Sequence, residues 1–269
     1  MAHRRLRPYA KYGIPAAGAP PGEYSHIWSI DLDGSTEHLR EFQNTTKLGP
    51  NPDFTVLLWV KPTSTAAGRC LLDIEGSASN WNHISIRTIT TASGLRFDVS
   101  NLNNSASKLY DLAGGLDLGS WGCYGVSYES SGNTIKCYKN GSDITSSMTK
   151  TSDSDISTRS DNLYEYGVGA NAATSEKHAG VYHALAVWDE QLGDAEITAL
   201  YNSGSPFDYT SDSGNYTSSA NLVRYFLIGD LGPSVGDSGT WGLDQIDSDH
   251  DLMAGAANVT STDVVEDAP

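Results

Sequence analysis

The sequence lacks any long hydrophobic run. None of its 269 residues fall in a segment that approaches the ~18 consecutive apolar residues of a membrane helix. A secretory leader pattern is missing as well, because Arg4, Arg5 and Arg7 are not followed by an apolar stretch. We therefore expect a chain that is made in the cytosol and stays there until assembly, or that leaves by another route.

Basic residues are scarce. The chain has 17 Lys and Arg against 33 Asp and Glu, and the charge is uneven: residues 1–22 contain four basic and no acidic residues, whereas the rest carries a net charge of −20. So acidic a body is repelled by nucleic acid and by anionic membranes, and we expect neither as a partner. The acidity either promotes solubility in a salty or divalent-rich medium or reflects clustered aspartates that bind cations.

Cysteine is equally rare. With three cysteines, at least one thiol is unpaired in a monomer. Cys123 and Cys137 lie on consecutive predicted strands and either form a disulfide or are buried as small hydrophobic side chains, which is the commoner fate.

The first 22 residues form a segment of their own. Pro8, Pro15, Pro20 and Pro21 prevent a continuous helix and favour an extended arm. The arm is either a disordered tail or a segment that orders against a neighbouring subunit. In the second case the contacts would come from Arg4, Arg5, Arg7, Tyr9 and Lys11.

Residues 23–204 have the pattern of an all-β fold. Nine or ten short runs rich in β-formers recur at roughly ten-residue spacing between turn residues, which is typical of a two-sheet antiparallel sandwich or jelly roll. One short helix is predicted near 194–202, because Ile197, Leu200 and Tyr201 share a helical face. Residues 205–269 are predicted to form a loop, one additional strand and an acidic tail that pack on the sandwich.

Four segments resemble, in this order, a laminin-G-like, concanavalin A-type jelly roll. They are "DLDGSTEHL", "PDFTVLLWVKP", "WGCYGVSYESSGNTIKCYKNG" and "HAGVYHALAVWDEQLGDAEITALYNSG". The resemblance covers about residues 26–204, and it implies a family of sugar-binding lectins, adhesion modules and glycoside hydrolases. The C-terminal part is similar to extensions of such domains in tailed-phage and bacterial surface proteins.

The resemblance also allows a test for catalysis. Asp73 and Glu75, two residues apart on a predicted strand, would point to the same face as a carboxylate pair does in glycoside hydrolases. The position of the family's nucleophile is occupied by Leu71, however, so we expect a polar strand edge and no enzyme.

The sequence suggests two kinds of ligand, calcium and a sugar. The resemblance implies a calcium site at Asp31 and Asp33, although His183 stands where the family often has an acidic residue. Two acid-rich loops are alternative calcium sites, or are simply solvated. One contains Asp153, Asp155 and Asp161, and the other contains Asp244, Asp247, Asp249 and Asp251. A loop tryptophan flanked by amides suits a pyranose ring, so Asn80, Trp81 and Asn82 are predicted to bind a sugar; the alternative is that Trp81 is buried under its loop. Trp59, Trp121 and Trp188 are predicted to be core residues.

The favoured hypothesis is a non-enzymatic virion protein, assembled in the host cytoplasm: a capsid decoration, head-fibre or adhesion subunit. A Met start without an export signal, a basic arm and a single recognition fold motivate it. Capsid or other virion subunits, a host-surface glycan and further copies of the chain are the expected partners. The alternatives are a carbohydrate-binding module of a secreted or cell-surface bacterial protein and an atypical glycoside hydrolase.

Overall fold

The fold is known from a computed structural model, which describes residues 26–41, 53–76, 83–90, 93–101, 105–157, 163, 165–171, 175–230, 240–247, 251–254 and 259–269. The strands are β1 (Trp28–Asp33), β2 (Leu39–Glu41), β3 (Phe54–Pro62), β4 (Cys70–Glu75), β5 (His83–Ile89), β6 (Gly94–Ser100), β7 (Ser107–Leu112), β8 (Gly122–Glu129), β9 (Thr134–Lys139), β10 (Ser142–Asp143), β11 (Thr149–Asp153), β12 (Glu165–Val168), β13 (Ala179–Trp188), β14 (Leu222–Ile228), β15 (Thr240–Asp244), β16 (Leu252–Ala254) and β17 (Val264–Glu266). The helix α1 spans Asp194–Tyr201.

These strands build two packed layers. The first sheet has the order β17–β1–β13–β3–β8–β9–β10, with β14 beside the second half of β13. The second sheet has the order β16–β2–β12–β4–β5–β6–β7–β11. The sheets are joined at one margin by the β14–β15–β16 pairings. The strand pairs described are antiparallel, which confirms the predicted two-sheet sandwich.

The inner faces of both sheets form one hydrophobic core. Alternate residues of each strand point inward, for example Val56 and Leu58 from the first sheet and Ile84 and Ile86 from the second. A second cluster lies on the outer face of the first sheet, where Ile197 and Leu200 of α1 pack over Trp59 and its neighbours. The burial of side chains on both faces explains why β3 is almost continuously apolar.

The helix is confirmed where the sequence predicted it. Gly193 is its N-cap, and Glu196 accepts a hydrogen bond from the Gly193 backbone amide at 3.3 Å. Asn202 ends the helix in the left-handed conformation, with φ of 45°, which asparagine tolerates better than most residues. No helix among the described residues has the length and hydrophobicity needed to cross a membrane.

The region after residue 204 contains more strands than the single one predicted. Strands β14, β15, β16 and β17 all pair with other strands of the sandwich. The last three are only five, three and three residues long. Segments this short carry too little alternation to stand out from a Gly- and Asp-rich background, which is why the sequence pattern missed them.

The cysteines follow the commoner of the two predicted fates. Cys70, Cys123 and Cys137 are free and buried. Cys123 belongs to the cluster on the outer face of the first sheet, whereas Cys137 points into the core between the sheets, so the two side chains lie on opposite faces.

Burial raises the pKa of the Cys123 and Cys137 thiols and keeps them protonated. We therefore expect all three thiols of the native protein to react with Ellman's reagent at least roughly tenfold more slowly than in denaturant, since reaction requires local opening. A count of three thiols in guanidinium without reductant checks the pairing, and a count of one would contradict it.

Candidate functional site

The two outer faces of the sandwich differ in chemistry. The part of the first sheet's outer face that lies beneath α1 is apolar and is covered by that helix and by the aromatic residues Phe207, Tyr209 and Tyr216. The outer face of the second sheet instead carries a set of charged and hydrogen-bonding side chains, which we call the polar face. Its members are Arg40, Asp73, Glu75, His83, Ser85, Arg87, Arg96, Asp98 and Glu165. A polar surface of this size on regular strands makes it the candidate functional site.

The centre of the polar face is a row that crosses adjacent strands. Gly167 of β12 lies opposite Asp73, Asp73 lies opposite Ser85, and Ser85 lies opposite Asp98. Asp73, Ser85 and Asp98 are only 3%, 2% and 7% exposed. The Ser85 hydroxyl and the Asp98 Oδ1 atom have no hydrogen-bond partner among the described residues. Buried polar atoms are nearly always hydrogen-bonded in proteins, so these two have unused capacity.

A more accessible layer of ionic pairs surrounds this row. His83 Nε2 lies 3.0 Å from Asp98 Oδ2, and His83 Nδ1 lies 3.2 Å from the Ser100 hydroxyl. Arg40 donates to Glu165 Oε2 at 2.8 Å across the neighbouring strands β2 and β12. The side chains of Arg40, Glu165 and His83 are 19%, 29% and 16% exposed. They therefore stand between the buried row and solvent.

The far end of the polar face is held by two further ion pairs. Arg96 and Asp111 form a bidentate pair with distances of 2.7 and 2.8 Å. Partial burial alone would raise the pKa of Asp111, but hydrogen bonds from Arg96 and Thr151 outweigh it and lower that pKa. Arg87 pairs with Glu176 at the same end. These pairs line the margin of the polar face.

Asp73 and Glu75 share the polar face, as their spacing predicted. The expectation that they form a strand edge is wrong, because β4 lies between β12 and β5 in the interior of the sheet. Leu71, which stands where the resemblance places a nucleophile, is completely buried in the core. Of the three positions that the resemblance assigns to carboxylates on this strand, Asp73 and Glu75 place a carboxylate on the polar face and Leu71 is apolar.

Asp33 uses its carboxylate to build its own turn. Oδ1 accepts hydrogen bonds from the backbone amides of Ser35, Thr36 and Glu37 at 2.7, 2.8 and 3.0 Å, and Oδ2 accepts from the hydroxyls of Ser35 and Thr36. Slight burial opposes ionisation, yet these hydrogen bonds hold the pKa of Asp33 well below its ordinary value. Gly34 adopts a φ of +70° here, and a Cβ would lie 2.5 Å from the Ala179 nitrogen.

Calcium at Asp31 and Asp33 therefore stays a prediction. The pKa of Asp31 lies above its ordinary value, because partial burial and the neighbouring Asp263 outweigh the opposing positive charge of Lys61. Within the described parts of the chain, no group of three or more His, Cys, Asp or Glu side chains has a geometry that could hold a metal ion.

The two acid-rich loops turn out differently from each other and from expectation. Asp153 is paired with Lys108 and Lys150, at 2.7 and 2.8 Å. Asp244 is not solvated, because it is buried in β15, with Arg224 Nη1 at 3.2 Å. Burial raises the pKa of Asp244 to about 6, although backbone hydrogen bonds and Arg224 oppose the rise.

The predicted sugar-binding residues Asn80, Trp81 and Asn82 lie outside the described residues, as do the arm residues Arg4, Arg5, Arg7, Tyr9 and Lys11. Strands β4 and β5, which precede and follow these three residues in the chain, pair at Glu75 and His83 on the polar face. Trp59 and Trp188 are core residues, as predicted. Trp121 is not a core residue, which corrects the prediction. Its side chain is only half-buried, because it precedes β8 at the end of the sandwich.

The two-sheet antiparallel sandwich is a concanavalin A-like jelly roll. The family model for the concanavalin A-like lectin/glucanases superfamily matches residues 33–198, more than half of the sequence. The chain therefore belongs to that superfamily, and the resemblance is confirmed. No curated protein matches the sequence.

Solved structures show the same fold at low identity. A heptameric SAP-like pentraxin from Limulus polyphemus is 16% identical, with a TM-score of 0.51 over 88% of this chain and 98% of the pentraxin. The CBM40 of the Ruminococcus gnavus IT-sialidase, bound to α2,3-sialyllactose, is 14% identical, with a TM-score of 0.50 over 66% of this chain and all of the module. A putative carbohydrate-binding protein from Bacteroides ovatus is 11% identical, with a TM-score of 0.55 over 85% of this chain and 58% of that protein.

Proposed function

We propose that the protein is a carbohydrate-binding module without catalytic activity and that the polar face binds the sugar. The observation that carries this proposal is the layer of partly exposed hydrogen-bonding groups on β2, β4, β5 and β12, formed by Arg40, Glu75, His83 and Glu165 and supported from below by the buried row. Sugar hydroxyls both donate and accept hydrogen bonds, and carboxylates, imidazoles and hydroxyls in fixed positions suit them. Two solved structures with the same fold, the CBM40 of the Ruminococcus gnavus IT-sialidase and the carbohydrate-binding protein from Bacteroides ovatus, support the assignment.

A binding role fits the arrangement better than hydrolysis does. Leu71 cannot act as a nucleophile, and Asp98 is already engaged by His83 at 3.0 Å. The polar face therefore has groups that orient a sugar and does not present the full carboxylate set that the family resemblance associates with cleavage. A carbohydrate-binding role fits a secreted or cell-surface protein as well as it fits a virion subunit.

Substituting Glu75 by alanine is expected to weaken sugar binding by roughly 10- to 100-fold, because a hydrogen bond to a charged group contributes about 1.5–3 kcal/mol. A glycan array identifies a neutral oligosaccharide ligand, and titration calorimetry then compares Glu75→Ala and His83→Ala with the unsubstituted protein. Chromatography of the incubated oligosaccharide checks that it is not cleaved.

Glu129→Ala is the matched control, because Glu129 lies at the β8–β9 hairpin of the other sheet and bonds to Ser131 and Thr134. It should leave affinity unchanged. Absence of binding to any glycan would contradict the carbohydrate role. Binding that survives both polar-face substitutions would instead move the site elsewhere.

A further inference from the structure

A second cluster of binding groups lies on the opposite side of the sandwich, at the end of the first sheet that α1 does not cover. The C-terminal strand β17 pairs with β1 over three residues, from Val264 to Glu266. The chain then turns over the outer face of the first sheet, where the Ser29 hydroxyl donates to the Asp267 carbonyl at 2.5 Å. The carboxylate of Asp267 thereby reaches past β1 and β13 to strand β3.

There the carboxylate meets a cation and an N–H donor. Lys61 forms an ion pair with Asp267, and the Trp121 indole N–H donates to Asp267 Oδ1 at 3.0 Å. The Lys61 ammonium also lies 5.6 Å from the centre of the Trp121 ring, and His183 packs edge-on against that ring at 5.8 Å. Ser29, Lys61 and Trp121 come from three different strands or their ends. We call these three residues the tail site.

The tail site has the chemistry of a carboxylate receptor. An ammonium supplies the charge, an indole N–H supplies a directed hydrogen bond, and the half-buried indole supplies a flat apolar surface beside both. Trp121 is half-buried outside the hydrophobic core, and Lys61 is 21% exposed, so both groups lie at the surface.

We propose that the tail site binds the carboxylate of an acidic sugar and that Asp267 occupies it in cis. This inference rests on the proposed carbohydrate-binding function. A uronic acid carries its carboxylate directly on the pyranose ring, so that the carboxylate and the ring can engage Lys61 and Trp121 together. The tail is held by a three-residue strand, a short segment that an external ligand can displace.

Asp31 sets a limit on the affinity. Asp31 of β1 lies opposite Val181 of β13, and Val181 lies opposite Lys61 of β3. The positive charge of Lys61 therefore also attracts the Asp31 carboxylate. An incoming carboxylate must therefore compete with Asp267 and tolerate Asp31. Binding to the unsubstituted protein should be weak and should weaken further as salt is added, because partly exposed charges are screened.

The test uses the full chain, with trigalacturonate as the acidic probe and a neutral galactose trimer as its counterpart. Replacing Asp267 with asparagine is expected to tighten trigalacturonate binding by about tenfold, since it removes the internal competitor and keeps the side chain's size. Adding Lys61→Met should abolish the gain. Glu266→Gln is the matched control, because it removes the neighbouring acid, which is exposed, and should change nothing.

A melting curve shows that each variant is folded, and tryptophan fluorescence reports the change around Trp121. Unchanged trigalacturonate affinity in Asp267→Asn would overturn the proposal, and so would an equal gain for the neutral trimer. Dimers of Asp267→Asn would also overturn it, in favour of tail exchange between copies. Failure of the carbohydrate function itself is distinct, because it appears as loss of neutral-glycan binding to the unsubstituted protein.

Discussion

Replacing Arg224 with methionine is expected to lower the free energy of unfolding by about 3–5 kcal/mol, the largest effect of any single charge removal that we predict. The Arg224 side chain is 1% exposed and points into the core from β14, with Asp244 at 3.2 Å and Glu41 at 3.8 Å. Methionine keeps much of the volume but removes the positive charge. The carboxylate of Asp244 would then be buried without its cation.

Urea denaturation followed by tryptophan fluorescence measures this loss. Arg69→Met is the matched control, because Arg69 is exposed, and it should change stability by less than about 0.5 kcal/mol. A double variant with Asp244→Asn should recover part of the loss, since the buried negative charge disappears as well. If Arg224→Met matched the control, the cluster would have no net role in stability.

The same cluster predicts a dependence on pH. The pKa of Asp244 is about 6 in the folded protein, above its ordinary value of 3.8, so the folded state binds the proton more tightly than the unfolded state. The stability that this proton provides is fully present below about pH 4 and is lost as the pH rises through 6. The difference in unfolding free energy between the unsubstituted protein and Asp244→Asn, measured from pH 4 to 7, should follow this course, and a flat difference would contradict it.

Replacing Trp59 with alanine is expected to cost about 3–5 kcal/mol, the usual range for deleting a buried tryptophan. Trp59 is 1% exposed on the outer face of the first sheet. Its ring stacks on Tyr201 of α1 at 5.6 Å, and its N–H donates to the Tyr209 hydroxyl at 2.8 Å. One side chain therefore attaches both the helix and the segment that follows it.

Hydrogen exchange should show the loss concentrated in α1 and in the segment around Tyr209, while strands of the second sheet keep their protection. Tyr209→Phe is the comparison, because it removes the hydroxyl that bonds to Trp59 and to the Leu200 carbonyl but keeps the ring. It should cost about 1–3 kcal/mol. Uniform loss of protection across both sheets would contradict the local role of Trp59.

Most of the strands were predictable because their side chains alternate or run continuously apolar between turn residues. Phe54–Pro62 is an apolar run of β-forming residues that ends at a proline, which predicts a strand, and α1 is predicted from three apolar residues on one helical face. Strand β11, with the sequence TKTSD, was missed. Among the described residues it pairs with β7 alone, and its side chains are mostly exposed, so it has no apolar pattern.

The candidate site was only partly predictable. The two-residue spacing placed Asp73 and Glu75 on one face, but nothing local connects Asp73 with Asp98, which lies two strands away in the sheet. The tail site is less predictable still, because Asp267 and Lys61 are 206 residues apart in the chain. The prediction that Trp121 is a core residue rests on its place in a predicted strand, and the strand begins one residue later, at Gly122.

The sequence by itself determined the class of fold, the helix, and the superfamily, since these depend on local periodicity and on the order of segments. The tertiary structure alone decided which polar residues meet. Strand register, the joining of the two sheets through β15 and β16, and the return of the C-terminal strand to β1 bring together residues from distant parts of the chain. Those pairings depend on the packing of the whole core, and no short stretch of sequence specifies them.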